Sequence, residues 1–112
     1  MPRKKEGLFD YLDEANVWIL KNLKNKKLIY TELMKNSLVS SGAFSTRINQ
    51  LINLRLVKVE YDQEKRRPFY SLTDTGKRIL ELLEEIERVH RKVGLGEYRE
   101  LKEMEKDLKD IM

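Results

Sequence analysis

The chain has 112 residues, which suits one small domain rather than two. It has no cysteine, which excludes a disulfide framework, a thiolate metal site and a cysteine nucleophile. Charged residues make up 38%, with a net charge of +4 and a pI near 9.3, and no apolar run approaches the roughly 20 residues that span a bilayer, so a soluble cytoplasmic protein with no membrane partner is expected.

Residues 1–6 read as a loose basic arm (Arg3, Lys4, Lys5), with no apolar stretch of signal-peptide length behind it. Leu8, Leu12, Ala15, Trp18, Ile19 and Leu23 then recur at helical spacing and predict one long helix over residues 8–23. Asp10, Asp13 and Glu14 on that helix read as a solvated acidic cluster. A basic turn follows at residues 22–27, and residues 28–30 form a short apolar piece, a stub of strand. Thr31 is placed to cap a short second helix ending near Lys35, with Glu32 at its positive end. After a turn at residues 36–39, Ser40 or Ser41 caps a third helix running to about residue 54.

The third helix is the most informative stretch. Phe44, Ile48, Leu51 and Ile52 share one face. Thr46, Asn49, Gln50 and Asn53 share the opposite face, with Ser45 and Arg47 on its flanks. An ordinary solvated face in a chain this rich in Glu and Lys would carry both. This one carries no acid, and its side chains donate and accept hydrogen bonds to base edges without repelling phosphate.

The period then changes from 3.6 to 2. Val57, Val59 and Tyr61 alternate with Lys58 and Glu60, and Pro68 to Leu72 return as a second strand after a polar loop at residues 62–67. Lys65, Arg66 and Arg67 make the return side of this hairpin basic, suited to a phosphate backbone or a minor groove. Asp62 and Glu64 dilute that charge.

Thr73 caps a last helical region, with Asp74 at its positive end. Ile79, Leu82, Leu83, Ile86, Val89 and Val93 recur at three- and four-residue steps. Gly94-Leu95-Gly96 is expected to interrupt, after which Tyr98, Leu101, Met104, Leu108 and Ile111 resume the spacing as an antiparallel hairpin or a bent long helix. So long a stripe exceeds what a small domain can cover, and a two-fold homodimer is the economical way to bury it. Phe9, Trp18, Leu82, Ile86, Val89, Leu101, Met104 and Leu108 are the candidate interface residues.

Charge is unevenly spread along these elements. Residues 1–78 hold 16 Lys and Arg against 9 Asp and Glu, and residues 79–112 hold 7 against 10. A basic body facing a polyanion and a more acidic appendage fit that split. The Lys- and Glu-rich, cysteine-free composition also leans towards a thermophilic source.

The order of helix, short helix, helix, hairpin and helix resembles the winged helix-turn-helix regulators of the MarR-like, PadR-like and HxlR-like families. The resemblance is carried by Leu51–Val57 (LINLRLV), where Arg55 stands at a position those families often fill with Gly or Asn, and by Tyr70–Lys77 (YSLTDTGK). It covers roughly residues 8–93. It implies a mainly α fold with a small β-hairpin (α+β), with residues 1–78 as the winged domain. Residues 79–112 would be a helical, coiled-coil dimerisation extension. It further implies that Ser45, Thr46 and Asn49 meet bases of double-stranded DNA in the major groove, with Arg47 and Gln50 beside them and Asn53 further along the same face. Thr31 and Ser41 would meet phosphates at helix starts, and Lys65, Arg66 and Arg67 would be the wing contacts.

The sequence thus points to a sequence-specific transcriptional regulator, in the form of a repressor that blocks promoter access. A coating protein with little base preference and a protein-interaction winged helix are the alternatives. No Gly-rich phosphate loop, nucleophile triad or metal-spaced carboxylate pair appears, and His90 is the only histidine, so no enzyme, cofactor or metal is expected. Aromatic residues near the interface could line a small-molecule effector pocket, but such residues are more often simply core.

Overall fold

The structure is a computed structural model describing residues 7–111, with side chains through residue 93. The basic arm at residues 1–6 lies outside the described residues. The helices are α1 (Glu14–Asn22), α2 (Tyr30–Lys35), α3 (Ser41–Asn53) and α4 (Asp74–Ile111), and the strands are β1 (Val57–Asp62) and β2 (Arg67–Leu72). One compact unit ends at Leu80 and a second begins at Glu81.

The first helix is shorter than its apolar spacing predicts. Leu8–Asp10 forms a 3-10 turn, and α1 starts only at Glu14. Asp13 is the reason. Its backbone is extended (φ −97°, ψ 177°), and its carboxylate accepts the Asn16 backbone N–H at 2.9 Å. An Asp in this role satisfies a donor that a continuing helix would otherwise bond, so it marks a start, not an interior.

One further cap differs from expectation, and another is settled between the two residues offered. Ile29, not Thr31, precedes α2, and Thr31 is the second residue of that helix. Ser40 rather than Ser41 caps α3, its hydroxyl facing the Ala43 N–H at 3.5 Å. The stub before α2 pairs through Leu28 alone, which exchanges backbone hydrogen bonds of 2.9 and 2.7 Å with Tyr70.

Helix α3 ends in a Schellman motif. Leu56 N–H bonds Leu51 C=O at 3.1 Å, and Arg55 N–H bonds Ile52 C=O at 3.0 Å. That geometry puts Arg55 at φ 63°, in the left-handed region that glycine occupies without strain. The chain thereby turns straight into β1. Thr73 closes the same corner: its hydroxyl donates to Arg55 C=O at 2.6 Å and accepts the Gly76 N–H at 2.9 Å, capping α4 as expected.

Gly76 explains the Thr-x-x-Gly spacing. A Cβ there would lie 2.0 Å from the Leu56 carbonyl oxygen, so only glycine lets α4 begin this close to the corner.

The core of the first unit gathers Ile19, Leu20, Leu33, Phe44, Ile48 and Leu51 from three helices, with Leu56, Val57, Leu72 and Leu80 beside them. Each such side chain contributes roughly 1.5–3 kcal/mol when fully buried. Tyr30 bridges α3 and β2, its ring 5.0 Å edge-on from Phe44 and 5.9 Å from Tyr70.

The strands pair antiparallel, from Val57 opposite Leu72 to Asp62 opposite Arg67. Of the apolar residues that alternate along β1, Val57 is buried and Val59 and Tyr61 are exposed. The hairpin runs on beyond its buried root: Phe69 keeps one face covered, while Val59, Tyr61, Arg67 and Pro68 meet solvent. It is a wing.

Gly94-Leu95-Gly96 does not interrupt α4, which continues to Ile111. Two helix-interior glycines cost about 1 kcal/mol each, too little to stop a helix flanked on both sides by strong helix formers. No helix among the described residues is long and apolar enough to cross a membrane.

Candidate nucleic-acid interface

Helix α3 buries Phe44, Ile48 and Leu51, and this fixes what its other side presents. Ser45, Thr46, Asn49 and Asn53 are exposed, and so is Ser41 at its first turn. None of these carries a charge. They form a hydrogen-bonding strip along the helix, able to donate to and accept from base edges.

Arg47 and Gln50 are only half-exposed and turn towards α1. The Arg47 Nη1 lies 2.7 and 2.6 Å from the two Asp13 carboxylate oxygens, and 3.2 Å from Asn16 Oδ1. Asn16 is buried, and its Nδ2 donates to Tyr11 C=O at 2.6 Å and to Gln50 Oε1 at 3.4 Å. Arg47 and Gln50, which the resemblance sets beside the base-reading residues, are thus engaged by Asp13 and Asn16 at the start of α1. A hollow of about 320 Å³ opens beside them, with Tyr11 and Thr46 on its walls.

The acidic cluster predicted to be merely solvated is therefore organised. Asp13 caps α1 and clasps Arg47, and Asp10 accepts the Gly7 N–H at 3.1 Å. Partial burial pushes the Asp13 carboxyl up, but hydrogen bonds from Arg47 and the Asn16 backbone, with the Arg47 charge, hold it below the usual aspartate value. An Asp directly before a periodic helix was a readable cap signal, whereas nothing local connects it to Arg47.

The wing tip is also more ordered in its charges than the sequence implies. Asp62 Oδ1 accepts the N–H groups of Glu64 and Lys65 at 2.9 and 3.0 Å, an Asx-type turn. Its other oxygen meets Lys27 Nζ at 3.2 Å. Hydrogen bonds from the Lys65 backbone and from Lys27 lower its pKa. So Asp62 does not simply dilute the basic tip; it shapes it.

Lys27 and Lys65 also lie over the Phe69 ring, at 4.9 and 5.3 Å from its centroid. Arg66 takes φ 54° to close the loop. Arg66 and Arg67 are exposed and have no acidic partner among the described residues. Thr31 is exposed on α2, apart from any capping role.

Along α4, Leu82, Ile86, Val89 and Val93 are exposed at 43, 63, 56 and 58%, at steps of four, three and four. Phe9 is exposed, and Trp18 is partly so, its indole N–H donating to Asn36 C=O at 2.8 Å. Leu101, Met104 and Leu108 lie outside the residues whose side chains are described. Among the described residues no group of His, Cys, Asp or Glu could hold a metal ion.

Comparison with known proteins places this geometry. A family model described as winged helix-turn-helix matches residues 14–91. No curated protein matches the chain. A MarR family transcriptional regulator from Silicibacter pomeroyi DSS-3 is 26% identical, with a TM-score of 0.63 over 79% of this chain and 63% of that one. A PadR family transcription regulator from Clostridium difficile R20291 is 24% identical, with a TM-score of 0.63 over 72% of this chain and 94% of that one. A mutant of S. aureus MepR shares 18% identity, with a TM-score of 0.71 over 92% of this chain and 79% of that one.

Proposed function

Because the chain belongs to the winged helix-turn-helix family, we propose that it is a sequence-specific regulator of transcription that binds double-stranded DNA as a homodimer and represses by blocking promoter access. The observation that carries this reading is the acid-free, uncharged strip of Ser45, Thr46, Asn49 and Asn53 exposed on α3. A protein that only coats DNA gains from Lys and Arg on that face, because phosphate attraction supplies nearly all non-specific binding. A strip of neutral donors and acceptors gains affinity only where base edges complement it.

In this reading α3 lies in the major groove. Asn49 and Asn53 are suited to adenine, whose N6 and N7 match a side-chain amide, and Ser45 and Thr46 accommodate several bases. Arg66 and Arg67, exposed and without an acidic partner among the described residues, follow the phosphates or the minor groove beside it, and Lys65 supports them while lying over Phe69. Ser41 and Thr31 add neutral phosphate contacts through their hydroxyls and neighbouring N–H groups. Arg47 and Gln50 hold α3 against α1 instead of reading bases, since Arg47 Nη1 is bonded to Asp13 and Asn16 and Gln50 Oε1 accepts from Asn16.

The exposed stripe of Leu82, Ile86 and Val89 supports dimerisation through α4, because apolar side chains repeated at heptad-like steps gain most by meeting a second helix. Two α3 helices related by a two-fold reach successive major grooves about 34 Å apart, and the preferred site is then a near-palindrome.

Selection of bound sequences from a random duplex pool tests the proposal. An enriched near-palindromic motif is the expected result. Uniform enrichment would instead favour a coating protein, and absence of binding a protein-interaction module.

A further inference from the structure

Helix α3 carries a single charged side chain, Arg47, and that charge is already matched. Both carboxylate oxygens of Asp13 lie within 2.7 Å of one guanidinium nitrogen, and Asn16 supplies a third acceptor. A carboxylate offers a guanidinium much the same pair of acceptor oxygens as a phosphodiester.

We propose that Asp13 acts as a built-in substitute for a DNA phosphate, withholding Arg47 from the backbone, so that the Asp13–Arg47 pair determines how strongly α3 discriminates between sequences. The inference rests on the DNA-binding reading above.

Three features make Asp13 suited to this. It is held in place from its own side, because the same carboxylate caps α1 through the Asn16 N–H. It remains at the surface, with its side chain 54% exposed against 26% for Arg47. A phosphate approaching Arg47 therefore meets the carboxylate, and like charges repel. Finally, the clasp spans α1 and α3, while buried Asn16 links the same two helices through Gln50. The cost of separating Arg47 from Asp13 thus falls on any backbone contact it could make. An unpaired arginine on this helix would attract every duplex alike. A paired one leaves the neutral strip to set the preference, and binding to unrelated sequence is held down.

The test uses the full chain and two duplexes, one carrying a site enriched by selection and one of unrelated sequence, titrated between 50 and 300 mM salt (roughly the range over which phosphate contacts are lost). Asp13→Asn keeps a good cap while removing the competing charge. Its expected effect is several-fold tighter binding to unrelated duplex, a salt slope steeper by about one per protomer, and a smaller ratio of selected to unrelated affinity. Arg47→Gln should leave the parental slope unchanged. The double variant should return the slope of Asp13→Asn to the parental value, which a mere change in stability would not do.

The inference is overturned if Asp13→Asn keeps the parental slope and ratio, or if Arg47→Gln alone flattens the slope by about one. In either case preferential binding by the parent would leave the DNA-binding reading standing. A parent that binds neither duplex at 50 mM salt overturns both.

Discussion

Lys27, in the turn before α2, places its ammonium 3.2 Å from a carboxylate oxygen of Asp62 at the wing tip, 35 residues further along the chain. The other Asp62 oxygen holds two backbone N–H groups of the loop. One side chain thus fixes both the shape of the tip and its tether to the helical body.

That arrangement reverses the expectation from charge alone. Asp62→Ala removes a negative charge from the interface, which by itself would tighten binding to phosphate. With the turn lost, Arg66 and Arg67 are no longer held in one orientation. Weaker DNA binding is expected, together with faster amide hydrogen exchange at Glu64 and Lys65. Tighter binding would show that Asp62 acts only through its charge.

Wing and helix are expected to fail differently. Arg66→Ala should weaken binding to all duplexes similarly and lower the salt slope by about one per protomer. Asn49→Ala should instead relax preference at one base pair by roughly 1–3 kcal/mol, with the slope unchanged. Competition titrations across single-base variants of the selected site separate the two patterns.

The corner between α3, β1 and α4 makes two opposite stability predictions. Gly76→Ala drives a methyl into the Leu56 carbonyl and should cost about 2 kcal/mol or more. Arg55→Gly relieves a left-handed backbone and should gain about 0.5–1 kcal/mol after glycine's own entropy is deducted. Urea unfolding of both variants checks the signs.

Acid should reveal the Asp13 clasp. Its folded-state pKa lies below the ordinary 3.8, so the native state favours the ionised form. That contribution is present above the unfolded pKa and is lost as pH falls through the depressed folded value. Asp13→Asn should therefore show a shallower loss of stability than the parent as the pH falls below the ordinary 3.8. Parallel curves would place the acid sensitivity elsewhere.

The α4 stripe supplies a test of pairing. Ile86 is 63% exposed in the single chain, so Ile86→Lys should leave the fold of the first unit intact. If a second helix covers that stripe, the buried charge should dissociate the dimer in sedimentation. An unchanged sedimentation coefficient would remove Ile86 from the interface.

The parts of the fold that were legible in the sequence are those governed by neighbours. Phe44, Ile48 and Leu51 repeat at helical spacing because they fill one core, and Thr73 precedes its helix as caps do. The uncharged outer face of α3 was equally readable, being what remains once the core face is assigned. The misreadings share another character. Asp13 ends what spacing alone makes one helix, and its meaning depends on Arg47, 34 residues away, which no local pattern encodes. Asp62 looked like a diluting charge because its partners are two backbone amides and Lys27. Gly94 and Gly96 looked like breakers because their modest cost was weighed without the helix formers around them.

The central claim is that the neutral strip of α3 reads sequence while the wing holds the backbone. Its most direct measurement is the ratio of affinities for the selected duplex and for one of unrelated sequence, taken at about 150 mM salt. A ratio of about 10³ or more is predicted, as is usual for specific binders. A ratio near one, with strong salt dependence on both duplexes, would contradict it.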